Sequence, residues 1–277
     1  MPVFSYQSEL LNASTAASSA LRMVVGVNGV SLWAQNREKT LALKTWNLNG
    51  TEQGFSSVES ELRSILGAER LLELPFETKI CALGSAATTL VPRRLFDPEN
   101  LDQYFRLLLR QDGPRNYGFE KLEVFDCYLV WAAEAGLMRL LEQYFNSRNI
   151  CHVAGPLLRS FHDRAPKEGY AVFANLRGQS VQVAVFERGN LVFFNVYYFS
   201  KPSDLLYFIL LAYKQFDLNP LDLPLNLSGN LIQDSEIYRL LLRYFRTLHF
   251  VALPTRFHLP EEAKTLPPHF WFDLSTF

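Results

Sequence analysis

This sequence of 277 residues lacks the features that assign many chains quickly to a functional class. It has three cysteines, Cys81, Cys127 and Cys151, and no Cys-x-x-Cys pair, which argues against a disulfide framework and a structural zinc site. Its 27 basic residues are balanced by 28 acidic ones, so no overall positive field attracts nucleic acid or an anionic membrane. We therefore expect buried, reduced cysteines and no nucleic-acid partner.

Long apolar runs are also absent from the sequence. The longest, Leu205–Tyr213, falls well short of the roughly 18–20 residues that span a bilayer. The first residues, MPVFSYQSELL, have neither the basic start nor the apolar core of a secretory signal. These absences predict a cytoplasmic protein with no transmembrane segment.

The common catalytic motifs are missing as well. The sequence has no Gly-x-x-x-x-Gly-Lys, no His-Glu-x-x-His and no Gly-x-Ser-x-Gly. Cys151 and His152 are adjacent, but adjacent side chains on a strand face opposite ways, which suits joint metal ligation poorly. We predict no catalytic residue and no metal ligand.

The stretch Tyr170–Gly229 carries the strongest structural pattern. Three strands rich in Val, Phe and Tyr are separated by Arg177-Gly178 and Arg188-Gly189-Asn190, gaps that join antiparallel neighbours. A helix, a short strand, a second helix and a last strand follow. The predicted elements are strands Tyr170–Asn175, Ser180–Glu187 and Leu191–Phe199, helix Ser203–Phe216, strand Leu223–Leu227, helix Asp234–Phe245 and strand Thr247–Leu253. The order is β-β-β-α-β-α-β, with the fourth strand free to pair in parallel beside the first.

The first half opens with the same order. Two strands flank Asn28-Gly29, a strong hairpin signal, and a helix is predicted over Ser57–Leu72. An inserted piece is predicted at about 79–125. Within it we expect a helix over Pro98–Arg110, a loop over 112–118 and a strand over Leu122–Asp126.

These patterns predict an α/β protein of two domains. The first covers residues 20–165 and the second 168–254, with a charged, Pro- and Gly-bearing run between them. A tail covers 255–277, in which Phe270, Trp271 and Phe272 are expected to pack back onto the body. The alternative is that this tail docks on a neighbouring molecule as an extended peptide.

A resemblance to a known family rests on residues 129–163, LVWAAEAGLMRLLEQYFNSRNICHVAGPLLRSFHD. Here a strand ending in small residues, a helix, a short strand and a Pro-led helix close the first domain. This order resembles the actin-like ATPase superfamily, built from two ribonuclease-H-like units, in the style of PilM and FtsA. More narrowly, the chain resembles an uncharacterised bacterial family with this fold. The resemblance covers about residues 21–253.

The resemblance implies a nucleotide cleft between the domains. In the superfamily two Asp-x-Gly turns hold the phosphates, with carboxylates that orient Mg²⁺ and water. The corresponding turns here are Gly26-Val27-Asn28-Gly29 and Asn175-Leu176-Arg177-Gly178, and no register puts a carboxylate in either. The superfamily's Gly-Gly motif is reduced to Leu227-Ser228-Gly229-Asn230. The residues of this degenerate cleft are Asn28, Gly29, Asn175, Arg177, Gly178, Ser228 and Gly229, with Arg177 as a possible phosphate partner.

Two functions follow as expectations. The first is a non-catalytic scaffold or assembly factor that binds a protein partner or itself and needs no cofactor. The alternative is a nucleotide-binding switch or weak ATPase that binds ATP or ADP in the degenerate cleft. A ribonuclease-H-like nuclease is disfavoured because the first strand, Arg22–Val27, has no Asp or Glu to hold its metals.

Overall fold

The computed structural model describes residues 1–37, 39–50, 55–84, 87–106 and 114–277. The strands are β1 (Phe4–Gln7), β2 (Ala20–Gly26), β3 (Gly29–Asn36), β4 (Lys39–Asn47), β5 (Thr78–Leu83), β6 (Thr88–Pro92), β7 (Arg115–Leu122), β8 (Cys127–Glu134), β9 (Ile150–His152), β10 (Tyr170–Arg177), β11 (Ser180–Glu187), β12 (Asn190–Tyr198), β13 (Leu225–Gly229) and β14 (Leu248–Phe250). The α-helices are α1 (Ala13–Ala16), α2 (Glu59–Ala68), α3 (Ala135–Leu141), α4 (Ala154–His162), α5 (Pro202–Gln215) and α6 (Glu236–Leu241).

The first sheet has the strand order β1-β4-β3-β2-β5-β9. Strands β2, β3 and β4 form an antiparallel meander, whereas β5 and β9 run parallel to β2. One face packs against α2 and α3, where Leu62, Leu66 and Leu140 contribute to a buried cluster with Val25. Leu21, Met23 and Val25 alternate along β2 and all join this cluster, as the two-residue period of a strand requires.

The second sheet, β12-β11-β10-β13-β14, repeats the order β4-β3-β2-β5-β9 of the first, and β1 has no counterpart in it. The predicted parallel pairing of the fourth strand beside the first is confirmed, with Ala174 opposite Leu227. Helices α5 and α6 cover one face through Leu205, Ile209 and Leu241, all buried. Because the two sheets share one order, the predicted pair of ribonuclease-H-like units is present.

A third, three-stranded sheet with the order β6-β8-β7 is inserted into the first half. The bounds of the insertion differ from the predicted 79–125. Strand β5 pairs with β2 in the first sheet, and the inserted strands run from Thr88 to Glu134. The predicted loop over 112–118 and strand over Leu122–Asp126 were also wrong where described. Strand β7 occupies Arg115–Leu122, and a 3₁₀ turn follows at Glu123–Phe125.

Two predicted helices of the first half differ from the structure. The helix over Ser57–Leu72 is interrupted after Ala68, because Glu69 is extended and its carboxylate accepts from the Leu71 amide at 3.1 Å. The same carboxylate pairs with Lys44 at 2.9 Å, which fixes the break in place. Within Pro98–Arg110 the structure has a 3₁₀ helix at Leu101–Phe105, and residues 107–110 lie outside the described residues.

The C-terminal tail folds as three 3₁₀ turns, Glu261–Thr265, Pro268–Trp271 and Asp273–Thr276. Trp271 and Phe272 are both fully buried, which confirms the expectation that the tail packs onto the body. Trp271 lies in one cluster with Val24 and Trp33, on the sheet face opposite α2 and α3. The tail is therefore the second covering layer of the first sheet.

Helix α4 links the two halves. Its Phe161 stacks on Phe173 of the second sheet, with ring centroids 4.5 Å apart, and on Phe272 of the tail at 5.8 Å. Stacked rings at these separations add packing energy beyond area burial. Among the described residues, no helix is long and apolar enough to cross a bilayer.

Candidate nucleotide cleft and the C-terminal tail

The first turn of the predicted cleft closes the β2–β3 hairpin. Gly26 pairs with Gly29 across it, and Val27 is buried at 3% exposure. The backbone oxygen of Asn28 accepts from the Leu48 amide at 2.9 Å. The turn is thus held tightly by its own domain, and its central side chain, Asn28, points towards the other domain.

The second turn touches the first directly. Asn28 Oδ1 accepts from the backbone amide of Gln179 at 2.9 Å, and Asn28 Nδ2 donates to the Gly50 carbonyl at 3.1 Å. Gly178 has φ +58°, and a Cβ added to it would lie 2.3 Å from Asn28 Cβ. Only glycine permits both this left-handed conformation and this approach. The two turns are therefore in van der Waals contact at this point.

Arg177 is engaged by the tail. Its Nε and Nη2 both lie 2.7 Å from Asp273 Oδ2, and the two side chains are 7% and 1% exposed. The Arg177 methylenes pass over the ends of β2 and β5, since a Cβ on Gly26 or Gly84 would lie 3.2 or 3.5 Å from Arg177 Cδ. The one cationic candidate for a phosphate contact is thus paired with a carboxylate of the same chain.

The third motif is hydrogen-bonded to the neighbouring strand β10. Ser228 Oγ donates to Asn175 Oδ1 at 2.9 Å, and both residues are buried. Gly229 has φ +85°, and a Cβ there would lie 2.0 Å from the Leu176 carbonyl oxygen. That carbonyl accepts from the Asn230 amide at 2.7 Å. These groups hold β13 against β10.

A second contact fastens the tail to the second domain, at Leu231, which follows this motif in the sequence. His269 Nε2 lies 2.7 Å from the Leu231 carbonyl, and its ring stacks on Phe250 with centroids 3.9 Å apart. Burial lowers the pKa of His269 below its ordinary value, although the hydrogen bond to Leu231 opposes this. At neutral pH the imidazole is therefore uncharged, and Nε2–H donates to the carbonyl.

Comparison with known proteins supplies the family. Residues 8–248 match the family described as "Protein of unknown function (DUF3822)". The chain belongs to this family. No curated protein matches it at a significant level.

Solved structures supply the fold. A protein of Bacteroides thetaiotaomicron with actin-like ATPase fold and unknown function is similar at a TM-score of 0.75 and 16% identity, covering 87% of this chain and 94% of that one. The PilM-PilN type IV pilus biogenesis complex contains a chain similar at a TM-score of 0.54 and 13% identity, covering 93% and 96% respectively. The predicted two-domain actin-like ATPase fold is therefore confirmed.

The structure brings the predicted cleft residues together, but two further residues reach the same place. Asp273 and His269 come from the tail, 96 and 38 residues from their partners Arg177 and Leu231. The only signal for them in the sequence was the aromatic run around Trp271, which predicted packing but not its location. Within the described residues, no group of three or more His, Cys, Asp or Glu could hold a metal ion.

Proposed function

We propose that this protein is a non-catalytic member of the actin-like fold that acts through protein–protein interaction, as a scaffold or assembly factor. The observation that carries the proposal is the buried Arg177–Asp273 pair. It fastens the tail of the chain between the domains, where the resemblance places a nucleotide. A nucleotide would have to displace this pair and separate two turns already in contact at Asn28 and Gly178.

The chemistry of the turns supports the same conclusion. Mg²⁺ in phosphoryl-transfer sites is held by hard oxygen ligands, usually with at least one carboxylate. The first turn offers Val27 and Asn28, and the Asn28 amide oxygen already accepts from Gln179. The second turn offers Leu176 and Arg177. These residues do not fit a Mg²⁺–nucleotide complex, and we infer that the cleft needs no cofactor.

The interaction role is supported by likeness of fold alone. A chain of similar fold is solved within the PilM-PilN complex of type IV pilus biogenesis. A fold hosts many functions, so this likeness makes an assembly role the first to test and leaves the partner open. The partner is a second protein or another copy of this chain.

The test combines turnover with binding. The full chain is incubated with Mg²⁺–ATP, and phosphate release is followed; the expected release stays at the level of a protein-free control. A partner captured from the producing cells is then purified, and its affinity is measured with and without Mg²⁺–ATP. We expect an unchanged dissociation constant.

Two results would contradict the proposal. Phosphate release above one equivalent per chain, lost in Asn28→Ala, would make the protein an ATPase. Partner binding that requires Mg²⁺–ATP would make it a nucleotide-dependent switch, the alternative function. In either case the tail would have to leave the Arg177 side chain.

A further inference from the structure

A cavity of about 1030 Å³ lies away from the cleft, where the start of β2, the end of β3 and the first residues of the tail meet. Its lining includes one carboxylate, Glu77, and four cationic side chains, namely Arg22, Arg37, Lys39 and Arg256. Within the described part of the chain, no Asp or Glu side chain forms a salt bridge with any of the four; Glu38 lies outside that part. The cavity therefore has a local excess of positive charge in a chain of net charge −1.

Arg22 is the most enclosed of these cations. Its Nη1 donates to Gln35 Oε1 at 3.1 Å, and its Nε donates to the Phe277 backbone oxygen at 3.3 Å. Gln35 in turn donates to the backbone oxygen of Arg256 at 3.1 Å, which ties the tail to this wall of the cavity. These two hydrogen bonds use two of the five N–H donors of the Arg22 guanidinium.

Arg256 brings a second guanidinium to an aromatic ring that Arg22 also contacts. The Cζ atoms of Arg22 and Arg256 lie 5.4 and 5.1 Å from the centroid of the same ring, that of Phe257. Cation–π contacts of this kind hold both charges next to one buried aromatic side chain. Burial, followed by the charge of Arg256, lowers the pKa of Arg22 to about 10. Both residues line the cavity, and an anion bound in it would relieve both the burial cost and the repulsion.

We propose that this cavity is a binding site for a small anion carrying two or more phosphate groups, with Arg22 and Arg256 as its principal ligands. A guanidinium can donate two hydrogen bonds at once to the oxygens of one phosphate group. Arg37 and Lys39 are exposed and add positive charge to the lining of the cavity. The volume exceeds what a single phosphate needs and is at the top of the roughly 300–1,000 Å³ range of small-ligand pockets. Because Arg256 belongs to the tail, binding here also stabilises the docked tail.

The test uses inorganic pyrophosphate as the probe. Binding to the full chain is measured by isothermal titration calorimetry at an ionic strength held constant with sodium chloride. We expect saturable binding, weakened at least tenfold by Arg256→Gln and by Arg22→Gln. The matched control is Arg243→Gln, which removes the same charge from an exposed site on the second domain and should change the affinity less than twofold.

Three outcomes would overturn the proposal. One is the absence of binding at millimolar pyrophosphate, and another is an equal loss of affinity in Arg243→Gln, which would indicate nonspecific charge attraction. The third is tighter binding to phosphatidylserine vesicles or single-stranded DNA that Arg256→Gln abolishes, which would assign the patch to a membrane or nucleic acid. If Arg22→Gln fails to fold, the exposed Arg256→Gln still decides among these outcomes.

Discussion

Asp273 and Arg177, 96 residues apart in the chain, form a buried ion pair in which two guanidinium nitrogens lie 2.7 Å from one carboxylate oxygen. The pair joins the C-terminal tail to the turn of the second domain. Breaking such a pair by removing one partner leaves an uncompensated buried charge. The connection between tail and cleft therefore depends on both residues together.

Removal of either partner should destabilise the fold strongly. We expect Arg177→Met and Asp273→Leu each to lower the free energy of unfolding by about 3–5 kcal/mol. The double variant should lose far less than the sum, because no lone charge remains buried. Urea unfolding of the wild type, the two single variants and the double variant measures the coupling energy between the two side chains.

An exposed pair provides the control for that cycle. Glu59 and Arg63 on α2 are 3.0 Å apart with side chains 42% and 54% exposed. Their coupling should be only about 0.3–0.5 kcal/mol, since solvent screens it. Equal coupling in the two pairs would contradict the structural role given to Arg177 and Asp273.

The contact between the two turns predicts a cost at Gly178. Gly178→Ala places a methyl group 2.3 Å from Asn28 Cβ and forces alanine into the left-handed region, so we expect a loss of at least about 2 kcal/mol. Gly169→Ala is the matched control, because Gly169 also has a positive φ, +73°, but open space around its Cβ. It should lose about 1 kcal/mol. Similar losses at both positions, measured by urea unfolding, would mean that the turns separate in solution.

Trp271 should anchor the tail through its size. Trp271→Ala empties a fully buried site and should cost about 3–5 kcal/mol in urea unfolding. Trp271→Phe should cost clearly less, because it keeps an aromatic ring and removes an indole nitrogen that is buried without a hydrogen-bond partner among the described residues. Equal, small losses in both variants would place the tail in solvent.

The lowered pKa of His269 predicts that the free energy of unfolding depends on pH. Its folded pKa is depressed, so the unfolded chain binds more protons between that pKa and about 6.5. The contribution of His269 to stability is thus full above about pH 6.5 and is lost as the pH falls through the folded pKa. His269→Gln should flatten the fall in unfolding free energy between pH 7 and pH 5. His249→Gln, at an exposed position, is the matched control for the loss of one histidine side chain.

Local signals made much of the fold predictable. Asn28-Gly29 marks a hairpin on its own, and the apolar helices and β-branched strands set the order of elements in both halves. Strand β7 was missed because its apolar pattern is weak. Gly118, which packs on Trp131, and the charged residues around it are typical of a loop.

Only the turn residues of the cleft could be predicted from the sequence. Asn28, Arg177 and Gly178 stand out in sequence because each belongs to a tight turn. The partner of Arg177 does not, since Asp273 lies in a tail without periodicity, and a pairing over 96 residues depends on tertiary packing alone. The aromatic residues of the tail predicted burial, but nothing in them specified the cleft.

The most direct test of the central claim is thermal unfolding of the full chain in Mg²⁺–ATP against an equal concentration of Mg²⁺–tripolyphosphate. The second ligand accounts for any binding of phosphates at the Arg22–Arg256 cavity. A closed cleft predicts melting temperatures that agree within about 1 °C. If the cleft binds ATP, a concentration of about 100 times the dissociation constant would add about 2.7 kcal/mol to the free energy of unfolding. The melting temperature would then rise by several degrees. Such a rise, specific to ATP, would contradict the account.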